Sequence, residues 1–161
     1  VVAIILIIAA IAIPNLLRSK IAANESSAVG SVRTIGTAEV TYSSSWGSGF
    51  APTIAELGGG APCNVATAAA SCLIDSLLST APNTKSGYRF AAAGTLPVAG
   101  INNGFEVNAT PTTFQTTGVR AFCDDQTGVL KFNVNGAAIG LGAGTCQLVP
   151  TAPGQSGPVG N

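Results

Sequence analysis

The sequence predicts an α+β protein in which the second half of a long N-terminal helix packs on a four-stranded antiparallel sheet. Three observations carry this prediction. The first thirteen residues, VVAIILIIAAIAI, contain no polar side chain. The next thirty place apolar side chains at helical spacing, and beyond Gly87 apolar and polar residues alternate as in strands. At 161 residues with 47% hydrophobic content, the chain can bury one small core besides this apolar helix.

The first half of the helix, residues 1–17, needs apolar surroundings. Thirteen apolar residues reach only about 20 Å, less than the roughly 30 Å hydrocarbon layer of a bilayer. A chain this short cannot surround a helix that is apolar on every face. We therefore expect lipid or further copies of the chain to cover it. The candidate contact residues are its large aliphatic side chains: Val1, Val2, Ile4, Ile5, Leu6, Ile7, Ile8, Ile11 and Ile13.

The second half, residues 18–45, is amphipathic. Its apolar stripe consists of Leu17, Ile21, Ala28, Val32, Ile35 and Tyr42. Charged residues, among them Arg18, Lys20, Glu25, Arg33 and Glu39, lie largely off the stripe. Pro14 stands where the two halves meet, and its missing donor predicts a kink or local melting there. Consecutive Ser and Gly residues from Ser43 end the helix.

A connecting region, residues 46–85, follows the helix. Thr53 is placed to cap a short helix at IAELGG. The stretch Ala69–Thr80 predicts a second short helix, and we expect its inward side chains to be Leu73, Leu77 and Leu78.

The sheet is expected within residues 86–134. Its four strands are predicted at YRFAA, GFEVNA, VRAFCDD and GVLKFNV. Alternation of Val119, Ala121 and Cys123 with polar neighbours predicts that these three face the helix stripe. Asp124 and Asp125, followed by Gln-Thr-Gly, are interpreted as a hairpin turn. Residues 135–161, rich in Gly and Pro, are expected to form an extended surface region tied down by Cys146.

The four cysteines indicate disulfides and an oxidising compartment. They lie nine and twenty-three positions apart within two pairs, which differs from the close pairs of a zinc site, and there is no His to complete one. Three connectivities are possible. We expect sequence neighbours to pair, Cys63 with Cys72 and Cys123 with Cys146, because these close the shortest loops.

The composition excludes several classes of function. Without His, the chain cannot build a His-based triad or a His zinc site. Seven basic and seven acidic residues balance, so the charge predicts no polyanion partner and no specific nucleic-acid site. A membrane-anchored enzyme would require a convergent polar pocket, and no such set of residues is visible. We expect neither catalytic nor metal-binding residues and no cofactor.

The run VVAIILIIAAIAIPNLLRSKIAANESSAVGSVRTI resembles the N-terminal helix of type IV pilins and of the related type II secretion pseudopilins. The apolar run followed by Ala-Ile-Pro-Asn at residues 12–15 is the mark of that family. SGYRF, NGFEVNA and TTGVRAFCDDQTGVLKF also resemble pilin headgroups. The resemblance implies the pilin fold, removal of a leader by a prepilin peptidase, and N-methylation of the new first residue. Aligned on Pro14, it implies about eight further residues before Val1, which restores a span of roughly 20.

The resemblance also implies a function, that of a structural subunit of an extracellular type IV pilus. Such a subunit waits in the inner membrane, polymerises with copies of itself through its apolar helix with the help of the pilus assembly machinery, and supports adhesion, twitching motility or DNA uptake. We further expect Arg18 and Lys20 to meet Glu25 or Glu39 of a neighbouring subunit.

The alternative is a pseudopilin of the type II secretion system, which forms a periplasmic pseudopilus. Major pseudopilins bind calcium through acidic residues of the C-terminal loop. This chain has no Asp or Glu after Asp125, which favours the pilus subunit.

Overall fold

The N-terminal helix is continuous over 45 residues. In the computed structural model, which describes residues 1–60 and 62–160, α1 spans Val2–Trp46. It ends at Gly47, whose positive φ of 63° suits glycine and whose N–H donates to the Ser43 carbonyl. The helix continues through Pro14 without an unwound residue. The local melting predicted at Pro14 is therefore not observed, because proline removes only one backbone donor and the hydrogen bonds of the neighbouring residues keep the helix intact. The kink at Pro14 stays a prediction.

Two short helices lie in the part of the connecting region that the structure describes. The first, α2 (Ile54–Leu57), begins at Thr53 as predicted: the Thr53 hydroxyl accepts from the Ala55 N–H, and the Glu56 carboxylate accepts from the Thr53 N–H at 3.0 Å. The second, α3 (Ser76–Ser79), is much shorter than predicted.

The predicted helix at Ala69–Thr80 is wrong over its first half because backbone N–H groups of this stretch donate to carbonyls at the end of α2. The N–H groups of Ser71, Cys72 and Leu73 donate to carbonyls between Glu56 and Gly58, which holds this stretch against the end of α2. Only one turn of helix follows, and it buries Leu78 while Leu77 stays 60% exposed.

Within the described residues, the sheet has six antiparallel strands in sequential order, two more than predicted. They are β1 (Thr84–Lys85), β2 (Tyr88–Val98), β3 (Ile101–Pro111), β4 (Ala121–Asp125), β5 (Lys131–Asn133) and β6 (Ser156–Pro158). The middle four correspond to the predicted strands. The edge strands β1 and β6 are too short to show alternation, and β6 pairs with β5 through a Ser-Gly-Pro sequence that has no strand signature.

One face of the sheet packs on the second half of α1. Large side chains from β2, β3 and β4 meet the helix stripe there, among them Tyr88, Phe90, Phe105 and Phe122, each at most 2% exposed. Of the predicted stripe, the residues from Ala28 onward are buried, whereas Leu17 is exposed. The core therefore lies around the C-terminal half of the helix.

The opposite face is covered by the C-terminal region. Ala121 and Cys123 form a second apolar cluster with Ile139, Cys146 and Val149. The expectation that Ala121 and Cys123 face the helix is therefore wrong. The reason is that both faces of β4 are buried, so burial along this strand does not alternate and the intervening residue packs in the helix-side core.

The structure contains the two expected disulfides, Cys63–Cys72 and Cys123–Cys146, each with Cα atoms 5.8 Å apart. The second joins β4 to the C-terminal region. The interpretation of Asp124 and Asp125 as the start of a turn also agrees with the structure: the Asp125 carbonyl accepts from the Gly128 N–H at 2.9 Å, and its carboxylate accepts from the Thr127 N–H at 2.7 Å.

Candidate functional site

The first seventeen residues, which we call the apolar arm, extend away from the rest of the protein. All nine predicted contact residues from Val1 to Ile13 are exposed, with exposed fractions between 59% and 94%. The arm is helical from Val2 and spans about 25 Å. In length and composition, α1 is able to cross a membrane. A continuous apolar surface of this kind requires lipid or protein to cover it.

Arg18 and Lys20 stand where the apolar arm ends. Both side chains are exposed, as expected from their positions off the helix stripe. Neither forms an ion pair with any of the described residues. The base of the arm therefore carries two exposed positive charges.

The sheet and the segments packed around it, which we call the headgroup, bind α1 at Asn24 and Glu25. The Asn24 side-chain amide donates to the Thr117 carbonyl at 2.8 Å. One Glu25 oxygen accepts from the backbone N–H groups of Val119 and Arg120 at 2.9 and 3.0 Å, and the other accepts from the Arg120 guanidinium at 2.8 Å. We call this set of contacts the Glu25 clamp.

The clamp overturns the expected role of Glu25. The residue is 6% exposed and its carboxylate is fully engaged by four donors of the same chain, so it is not available to Arg18 or Lys20 of another copy. The Arg120 guanidinium also lies 5.5 Å from the ring centres of Phe122 and Phe132, within the range of cation–π attraction.

Glu39 is likewise buried within the chain, so the contact expected between Glu39 and a neighbouring copy is wrong. The residue is completely inaccessible, and one carboxylate oxygen accepts from the Ala51 N–H at 2.8 Å. The second oxygen has no hydrogen-bond partner among the described residues. Burial, with a smaller contribution from the charge of Glu56, raises the pKa of Glu39 to about 8, despite the opposing hydrogen bond from Ala51.

Sequence reasoning missed Arg120 and the role of Asp124. The alternation in VRAFC predicts Arg120 on the outer side of its strand, whereas its guanidinium pairs with Glu25, 95 positions away on the helix. The only sequence signal for this ion pair is one charged residue between two apolar residues, which is weak. Asp124 is 6% exposed and borders a groove beside α1. Within residues 1–60 and 62–160, no three His, Cys, Asp or Glu side chains are arranged to share a metal ion.

Comparison of the chain with protein-family models finds no matching family, and comparisons with curated proteins and with solved structures find no match either.

Proposed function

We propose that this protein is a structural subunit of a type IV pilus and polymerises through its apolar arm. The observation that carries the proposal is the division of α1 into two environments. The arm exposes every large aliphatic side chain, whereas the following half is held by the Glu25 clamp and the sheet core. A helix divided in this way presents one end for assembly while its other end is fixed in a headgroup. The resemblance of residues 1–35 to pilins supports the same function.

The physics of the arm is compatible with both a membrane and a filament interior. Moving an apolar helix from lipid to an all-apolar filament axis changes its hydrophobic energy little, because both surroundings are nonpolar. Packing and charge compensation then decide whether subunits associate. A repeated head-to-tail contact that does not close produces a helical fibre.

In this proposal the subunit waits in the inner membrane with its headgroup in the periplasm and is then added to a surface fibre. A prepilin peptidase and the assembly machinery act on it there. The two disulfides support an oxidising location for the headgroup. Adhesion, twitching motility and DNA uptake are the tasks that such a fibre performs.

Electron microscopy of fibres sheared from producing cells, with mass spectrometry of the intact subunit, tests the proposal. Ile8→Lys places a charge in the arm and should abolish fibres, because a charged residue at the centre of an apolar span costs about 3 kcal/mol. Leu77→Lys is the matched control, since Leu77 is 60% exposed and Ile8 is 61% exposed. Fibres that persist in Ile8→Lys, or that lack this chain altogether, would contradict the proposal.

A pseudopilin of type II secretion remains the alternative outcome of this experiment. In that case the protein would stay in the cell envelope and no long surface fibre would contain it. The C-terminal region argues against this alternative, because it offers no acidic side chain for calcium.

A further inference from the structure

A groove runs along one side of the headgroup, between the exposed flank of α1 and the β4–β5 turn. We call it the flank groove. Its volume is about 360 Å³, and its walls include Arg33, Thr37, Val40, Phe105, Asp124 and Gln126. Val40 is 55% exposed although it is aliphatic, so the groove offers a partly apolar wall to whatever enters it.

Asp124 gives the groove an acidic site. The residue is 6% exposed, and its Oδ1 accepts from the Asp125 N–H at 3.0 Å. Its Oδ2 accepts no hydrogen bond from the described residues and lies over Gly36, where a Cβ would come within 2.9 Å of it. Arg33 borders the same groove but forms no ion pair with Asp124. Asp124 Oδ2 is therefore the carboxylate oxygen that remains for an incoming donor, and the charge of Arg33 at the edge of the groove acts on the same carboxylate.

Five of the seven basic side chains form no ion pair with the described residues: Arg18, Lys20, Arg33, Arg89 and Lys131. Two ion pairs occur among the described residues, Asp75 with Lys85 and Glu25 with Arg120. Lys131 donates to the Gln147 carbonyl at 2.7 Å. Arg18 and Lys20 are exposed, adjacent to the apolar arm and unpaired within that part of the chain.

We propose that the flank groove binds Arg18 of a second copy of this chain, whose guanidinium pairs with the Asp124 carboxylate. Arginine fits this groove better than Lys20 does, because its planar fork matches a carboxylate. Its aliphatic stem packs on Val40 and Phe105. The inference rests on the proposed function and adds to it a specific contact between subunits.

The contact fixes how two copies are offset. Arg18 and Thr37 lie nineteen residues apart on one continuous helix, about 28 Å, so Arg18 cannot reach the groove of its own subunit. A neighbour must be displaced by that distance along the helix axis. Because each copy then still offers one free groove and one free Arg18, the contact repeats with every added subunit.

Cysteine cross-linking measures this offset without altering the ion pair. With the helices parallel, Ala22 of one copy lies beside Thr41 of the next, since these residues have the same nineteen-residue separation and both are exposed. The described residues contain no free cysteine, so an introduced pair reports the contact. The full chain carrying Ala22→Cys and Thr41→Cys should give, on oxidation in producing cells, a ladder of covalent oligomers. Ala22→Cys with Leu148→Cys is the control and should give no ladder.

Three further substitutions in the double-cysteine chain test the ion pair. Arg18→Gln should lower the yield of the ladder about tenfold, the effect of removing a charged hydrogen bond. Asp124→Asn should do the same, while Lys20→Gln should leave the yield unchanged. Arg18 is exposed and outside the headgroup, so the Arg18→Gln result does not depend on folding of the headgroup.

The outcomes separate this inference from the proposed function. Fibres without a ladder, or a ladder that Arg18→Gln leaves intact, would overturn the flank-groove contact and leave the pilus subunit standing. Absence of both fibres and ladder would overturn both. A ladder that depends on Arg18 and Asp124 supports the contact.

Discussion

At the residue scale, the Glu25 clamp is the most consequential polar contact. Glu25→Ala should lower the free energy of unfolding by about 3 kcal/mol, because it leaves two backbone donors and the Arg120 guanidinium without their acceptor. Arg120→Ala should cost less, since Glu25 keeps both backbone donors. Urea unfolding of the chain in detergent measures both effects.

The matched control for the clamp is the exposed ion pair between Lys85 and Asp75, whose atoms lie 2.6 Å apart. Lys85→Ala should cost below about 1 kcal/mol, because water screens exposed pairs. Equal losses for Lys85→Ala and Glu25→Ala would contradict the importance of the clamp.

Glu39 predicts a pH dependence of stability. Its pKa is about 8 in the folded protein, compared with 4.5 when exposed to water, so the folded state holds this proton more tightly than the unfolded state. The stability contributed by the protonated form is complete below about pH 4.5 and is lost as the pH rises to about 8, with a total loss of roughly 3 to 5 kcal/mol.

Unfolding experiments on Glu39→Gln and the unaltered chain between pH 4.5 and 8.5 check this dependence. Glutamine does not titrate, so the difference in stability between the two proteins should shift in favour of the variant as the pH rises. A constant difference across this range would show that Glu39 is ionised in the folded protein.

The charged residues also show where sequence reasoning fails. Periodicity correctly places Glu25 and Glu39 on a helix, but it does not reveal which backbone donors of distant segments meet them. Glu25 binds Val119 and Arg120, just before β4, and Glu39 binds Ala51 in the connecting region, contacts that depend on tertiary packing. Arg18 and Lys20 lie beyond the headgroup, so their exposure follows directly from the sequence pattern.

At the scale of elements, the longest were the most predictable. The helix and the four middle strands have enough residues to show their period, whereas β1 and β6 have two and three residues. The apolar spacing of the stretch before Asp75 is typical of a helix, yet its backbone N–H groups donate to carbonyls at the end of α2 and not to one another's helical turns. Thr53 was predictable because its cap is a local interaction.

The disulfide between Cys123 and Cys146 should stabilise the protein more than the disulfide between Cys63 and Cys72. Chain entropy gives roughly 3.4 kcal/mol for a loop of twenty-three residues and roughly 2.6 kcal/mol for nine. Replacing both Cys123 and Cys146 with Ala also removes two fully buried side chains from the second apolar cluster.

Urea unfolding of the two double variants measures this difference, and limited proteolysis locates its effect. Loss of the Cys123–Cys146 bridge should open the C-terminal region from residue 137 onward to cleavage. Cleavage confined to the connecting region in both variants would contradict this assignment.

At the scale of the whole molecule, the headgroup should fold without the apolar arm. A chain starting at Asn24 keeps the Glu25 clamp, both disulfides and the buried part of α1. Its urea midpoint should match that of the full chain, and size-exclusion chromatography should show a monomer in the absence of detergent. A large loss of stability on removal of residues 1–23 would contradict this prediction, because it would mean that the removed residues contribute to the folded headgroup.

The overall division into apolar arm and headgroup follows from composition, because thirteen residues without a polar group have no place in a core this small. The way in which the sheet is enclosed does not follow. The C-terminal region lacks a periodic pattern, so apart from the predicted Cys123–Cys146 bridge no local sequence signal reveals the contacts through which it covers the sheet.

The Glu25 clamp also determines the path that mechanical load takes through the molecule. A pull along the arm reaches Glu25 before the fully buried residues of α1, crosses to Arg120 and enters β4 close by. From β4 the Cys123–Cys146 bond passes the load to the C-terminal region. Since β4 lies in the middle of the sheet, tension is delivered to its centre instead of peeling away β1 or β6. The clamp consists of hydrogen bonds and an ion pair that re-form after they open, so it can yield under force without breaking a covalent bond.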